Sequence, residues 1–119
     1  MDEITRLQAD VLKVLSSPLR LEILHRLADG PLEVSRIAAA IGASQPNASQ
    51  HLSVLRAAGL VEADRHGREI RYGLVDPDVL VACDVMRGVL TRRLARFAHL
   101  AGAAGTQPAT PLIQLGRSQ

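Results

Sequence analysis

The stretch Ser44 to Glu62, SQPNASQHLSVLRAAGLVE, constrains the fold more than any other, because it reads as a helix that stops on a glycine and runs straight into a strand. Ser44 is a good N-cap, since its hydroxyl can accept from the free amides of the first turn. Pro46 is tolerated in that turn because no intrahelical bond is lost there. Gly59 is the matching stop. At 100° per residue Ala48, Leu52 and Leu55 fall on one face, whereas Pro46, Asn47, Gln50 and Ser53 fall on the other. The outward face therefore carries amides and hydroxyls, with no hydrophobe larger than Pro46. Asn and Gln present a donor and an acceptor side by side, the pattern of the major-groove edge of adenine, and Ser can serve a base or a phosphate. An ordinary solvated helix would show the same polar face, so the neighbouring segments have to decide between the two.

Those segments organise around it. Ile4, Leu7, Val11 and Val14 repeat at three and four, with Leu15 extending the stripe, which predicts an amphipathic helix over 3 to 16 that needs something to lie against. Ser16-Ser17-Pro18 caps a second helix that buries Leu19, Ile23, Leu24 and Leu27 and stops at Asp29-Gly30-Pro31. Leu32 and Glu33 lead into a third helix, 34 to 41, with Ile37, Ala38 and Ile41 inward. Gly42-Ala43-Ser44 is then the only link to the next helix, and two short helices joined by a three-residue turn with Gly form a helix-turn-helix, whose second helix enters the major groove. On this reading Gln45, Asn47, Ser49 and Gln50 meet base edges or flanking phosphates, and Ser44 and His51 meet the backbone.

Beyond Gly59, residues 60 to 65 and 69 to 74 flank His66-Gly67-Arg68. Ile70, Tyr72 and Leu74 alternate with Glu69, Arg71 and Gly73, a period of two, and Gly67 supplies the positive φ of a tight hairpin. Arg65, Arg68 and Arg71 at or near its tip suit a wing that touches phosphate. The competing possibility is that Glu62, Asp64 and Glu69 pair with these arginines across the strands. Asp76-Pro77 opens a last helix, 77 to 101, on which Val79, Cys83, Met86, Leu90, Leu94, Phe97 and Ala101 form a stripe too long for so small a core to cover. With Ile4, Leu7 and Val11 of the first helix, this stripe predicts a homodimer interface. From Gly102 periodicity is lost, and 102–119 is expected to be a disordered tail after a single domain over 1–101.

Composition supports a mainly α chain with a small hairpin. With one Tyr, one Phe and no Trp among 119 residues, the core has to come from Leu, Val, Ile and Ala. A net charge of +2 argues only weakly for nucleic acid, so the placement of the basic residues carries that case. The lone Cys83 excludes an intramolecular disulfide and a multi-thiolate site within one chain. Absence of a basic n-region, an h-region or a membrane-length apolar run predicts a cytoplasmic protein with no membrane partner. There is no Ser-His-Asp set, Gly-rich phosphate loop or close carboxylate pair beyond Asp76 and Asp78, so no enzyme and no cofactor are expected.

The run from Leu15 to Leu74 resembles the ArsR/SmtB family of bacterial winged-helix repressors, above all in SSPLRLEIL, in HGREIRYGL and in the pattern S-Q-P-x-x-S-x-H-L-x-x-L-R-x-x-G-L-V. The end helices fit that family's dimerisation helices. The resemblance implies a winged helix-turn-helix homodimer that binds a palindromic operator in double-stranded DNA, represses transcription and releases the DNA when an effector binds. The effector itself is unknown. Many members sense metals, but here the matching positions carry other residues. The arsenic-type pair is Glu33 and Ser35, with Ala38 nearby; the zinc-type set is Asp76, Asp78, Val89 and Arg92; a further cysteine pair is Val54 and Ala58. No soft ligand remains, valine cannot ligate and a guanidinium repels a dication, so no metal site is expected. Two alternatives stay open: a winged-helix module that binds protein, and a repressor that senses redox state through Cys83, for which Arg87 one turn on is the only hint of a lowered pKa.

Overall fold

The computed structural model describes residues 1–104, and they fall into two compact units that divide after Pro77. The first unit holds α1 (Glu3–Val14), α2 (Pro18–Arg26), β1 (Leu32–Glu33), α3 (Val34–Ile41), α4 (Gln45–Ala57), β2 (Val61–His66) and β3 (Glu69–Leu74). It is a helix-turn-helix followed by a hairpin wing. The second unit contributes one helix, α5 (Asp78–Ala104).

Local chemistry sets these boundaries. The Asp2 carboxylate accepts from the Thr5 amide at 2.6 Å and starts α1, and Ser17 Oγ accepts from the Arg20 amide at 3.3 Å and starts α2. Gly42 ends α3 at φ 68°, a left-handed conformation that glycine adopts without the Cβ penalty, and so turns the chain within three residues into α4. The core lies between α2, α3 and α4, where Ile23, Leu24, Ile37, Leu52 and Leu55 are wholly excluded from solvent. Each such side chain contributes about 1.5–3 kcal/mol on burial. This core holds α4 by one face and leaves the other outside.

The sheet differs from the sequence reading in two respects. Leu32 and Glu33 form a third strand, pairing antiparallel with β3 through Leu32 opposite Tyr72 and Glu33 opposite Arg71, so the order is β1-β3-β2. Two residues are too few for a period to register, which is why they read as a lead-in. The β2–β3 ladder runs from Val61 opposite Leu74 to His66 opposite Glu69, so the turn is Gly67-Arg68 alone and His66 belongs to the strand. Gly67 has φ 65° and Arg68 is not in the positive-φ region, the pattern of a type II′ turn. Of the alternating residues on β3, Ile70 remains 42% exposed because the wing projects past the core, whereas Gly73 is buried: a Cβ there would lie 3.2 Å from Pro31 Cγ.

None of the residues of α1 is buried, and Ile4 and Leu7 are exposed. The helix stops at Val14, two residues short of the expected 16. On α5, Met86, Leu90 and Phe97 are likewise exposed, while Cys83 and Leu94 are half-buried. The helix carries through Gly102 to Ala104, past the expected limit at 101. The rest of the predicted tail lies outside the described residues. No helix among the described residues is long and apolar enough to cross a membrane.

Candidate nucleic-acid interface

The outward side of α4 is built by exclusion. With Ala48, Leu52 and Leu55 buried, the helical repeat leaves Gln50 and Ser53 outermost, Gln45 and Ser49 on one flank, and Asn47 and His51 on the other. Ser44, Gln45, Asn47 and Gln50 are exposed, and Ser49 and His51 are half-buried. Ser44 Oγ accepts from the Asn47 amide at 3.2 Å, as an N-cap should. Its hydroxyl proton is left to donate outward. Gln50 and Asn47 leave the backbone of a helix whose other face is locked in the core, so the points from which their side chains project are fixed. Such a face can present paired donors and acceptors to base edges, and its width suits the major groove.

The wing adds cations beside it. Arg65, Arg68 and Arg71 are all exposed. The acids do engage the basic residues, although along the strands rather than across them. Arg71 Nη2 lies 3.4 Å from Glu69 Oε2, and His66 Nε2 lies 3.2 Å from Asp64 Oδ2. Arg65 and Arg68 make no ion pair in the described structure, and they remain the available wing cations. Arg68 lines a cleft of about 260 Å³ with Glu33, Val34, Ser35, Gln45, Glu69 and Ile70. That is smaller than the pockets that enclose small ligands, and two carboxylates line it. Its interest is positional, because it sets Arg68 on the Gln45 flank of α4.

On the other flank, His51 is held below its ordinary pKa by burial first and by the charge of Arg20 second. Arg20 is a residue the sequence reading missed. Its Nε donates to the Val14 carbonyl at 2.6 Å, a bond between α2 and the end of α1 that no local pattern announces. Only its place in the first turn after Pro18 could have drawn notice.

Among the described residues no three His, Cys, Asp or Glu side chains are grouped so as to hold an ion. Cys83 sits in a setting opposite to the one a reactive thiol requires: burial, then the Asp84 carboxylate, raise its pKa above the ordinary value. Both causes act against the hint from Arg87.

Comparison with known proteins gives a consistent result. The profile of the arsR family of bacterial regulatory proteins matches residues 17–63, which run from the α2 cap into β2. NmtR of Mycobacterium tuberculosis, an HTH-type transcriptional regulator, is 47% identical over 76 residues, 64% of this chain and 63% of NmtR. The match thus spans less than two thirds of that relative. Rv0081 of the same species, an uncharacterized HTH-type transcriptional regulator, is 36% identical over 91 residues, 76% of this chain and 80% of its own length. The crystal structure of Rv0081 superposes with a TM-score of 0.72 at 34% identity, covering 81% of this chain and 97% of that one. A solution structure of Mb0332 from Mycobacterium bovis, described as a homodimeric winged helix-turn-helix DNA-binding domain, gives a TM-score of 0.71 at 34% identity over 78% of this chain and 86% of that one.

Proposed function

The chain belongs to the ArsR family of bacterial regulatory proteins, and from that membership we propose that it is a homodimeric, sequence-specific DNA-binding regulator that represses transcription. One observation carries the proposal: α4 buries every large apolar residue of its inner face and exposes Gln45, Asn47 and Gln50. A helix placed second in a helix-turn-helix and faced with amides fits a reading helix in the major groove. Gln45, Asn47, Ser49 and Gln50 then meet base edges or adjacent phosphates, Ser44 and His51 meet the backbone, and the wing arginines lie along phosphate. Arg65 and Arg68 are the stronger wing candidates, since Glu69 already engages Arg71.

The same proposal assigns the exposed apolar residues. Ile4, Leu7 and Val11 of α1, and Cys83, Met86, Leu90, Leu94 and Phe97 of α5, form the homodimer interface. A two-fold axis makes the operator palindromic. The raised pKa of Cys83 speaks against a thiol switch.

Salt separates a DNA regulator from a module that binds protein. Affinity for the DNA upstream of its own gene should fall linearly with salt on logarithmic axes, and Arg68→Ala should weaken specific and random-sequence binding alike while lowering the slope by about one unit. Salt-independent binding, or none, would remove the proposal. An unchanged slope in Arg68→Ala would return the wing tip to solvent.

A further inference from the structure

The two most exposed large apolar side chains of α5, Val85 at 65% and Val81 at 58%, are not on the stripe that the periodicity of the sequence picks out. With Val89, 50% exposed, they stand one turn apart on a line of their own. Two small residues border this line, Ala82 on one side and Gly88 on the other. A charge closes each end. Asp78 opens the helix, where the positive end of the dipole favours an acid, and Arg92 stands one turn beyond the last valine. The Arg92 guanidinium lies back over Gly88, its Nη1 3.3 Å from where a Cβ would stand there, so it stays on this side of the helix. Met86, about 60° round from Val89, joins the line to the interface residues assigned above.

Laid against itself in the opposite direction, the line is self-complementary. Turned about Val85, Val81 falls on Val89, Ala82 on Gly88 and Asp78 on Arg92, the members of each pair being equally far from the centre. A two-fold axis through Val85 therefore brings valine to valine, small residue to small residue and carboxylate to guanidinium, the last of these twice over. The small residues let antiparallel helices approach to the interaxial distance of about 8–10 Å at which side chains interlock. A parallel pairing would set Arg92 against the partner's Arg92, and an unrelated partner gives no reason for the symmetry. We propose that α5 pairs antiparallel with α5 of a second copy in this register, fastened at both ends by an ion pair between Asp78 and the partner's Arg92. The inference rests on the homodimer proposed above, and it fixes how the longest helices of that dimer meet.

Charge reversal in trans tests the register on the full chain. Asp78→Arg and Arg92→Asp each turn two attractions into two repulsions, so either protein alone should dimerise about tenfold more weakly than the parent in sedimentation at low salt. Mixed in equal amounts, the two should associate to within about threefold of the parent affinity, because each end of the pairing again holds one acid and one base. Variants that stay as weak together as apart, while the parent is dimeric, overturn the register and leave the homodimer standing. A parent chain that stays monomeric removes both. A second measurement avoids the charges: in a Cys83→Ser background, Val85→Cys lies on the axis and should cross-link to its own copy under mild oxidation, whereas Val81→Cys, about 12 Å from its own copy along the helices, should not. Equal cross-linking at the two positions, or none at Val85→Cys in a dimeric protein, overturns the pairing.

Discussion

Gln50 stands on the outermost face of α4, and among the described residues no hydrogen bond ties its amide to the protein. Its replacement therefore reports on DNA alone. Gln50→Ala should cost about 1–3 kcal/mol on the operator and little on random DNA, because a bidentate amide discriminates between bases whereas phosphate contacts do not. Equal losses on both DNAs would show that Gln50 does not read sequence. Cys83 makes the opposite case. Its pKa is raised by burial first and by Asp84 second, so the thiol holds its proton more firmly than a free cysteine does. Alkylation by iodoacetamide at pH 7 should then be slower than for an unstructured cysteine peptide and should accelerate only in alkali. Fast labelling at neutral pH would restore the thiol-sensing alternative.

At the scale of the element, α4 depends on its buried line. Leu52 is wholly buried in the core, so Leu52→Ala should lower stability by about 2–5 kcal/mol in urea unfolding, with DNA affinity lost in proportion to the unfolded fraction. A loss below 1 kcal/mol would mean that the helix is not seated as described. The helices were legible because each carries two independent signals, a cap and a periodicity: Ser17 with Pro18 for α2, Ser44 with Gly59 for α4, and the stripe Ile37, Ala38, Ile41 with Gly42 for α3. The wing was legible through Gly67 and the alternation on β3, although its turn is one residue tighter than the pattern suggested. What stayed hidden is what depends on contacts distant in sequence. β1 exists only because β3 lies beside it, and the bond from Arg20 to Val14 joins two helices whose separate patterns are silent about each other. The α5 limit was missed for a different reason: Gly102 read as a stop, yet glycine inside a helix costs only about 1 kcal/mol and the turns before it carry the helix onward to Ala104.

At the scale of the whole molecule, the apolar residues left outside on α1 and α5 and the polar ridge on α4 become one argument if two chains act together. Leu90 is 37% exposed in the protomer, so Leu90→Asp should be tolerated by the isolated fold while placing an unpaired charge in the interface of a dimer. It should yield folded monomers, seen by sedimentation, that have lost operator binding. A Leu90→Asp protein that remains dimeric would place the interface elsewhere. If α4 reads DNA from a two-fold dimer, a hydroxyl-radical footprint of the full chain on the DNA upstream of its own gene will show it. The predicted result is protection of two inverted half-sites about one helical turn apart, roughly 34–36 Å between centres, lost in Leu90→Asp. Uniform protection without half-sites, or no protection at low salt, would contradict it.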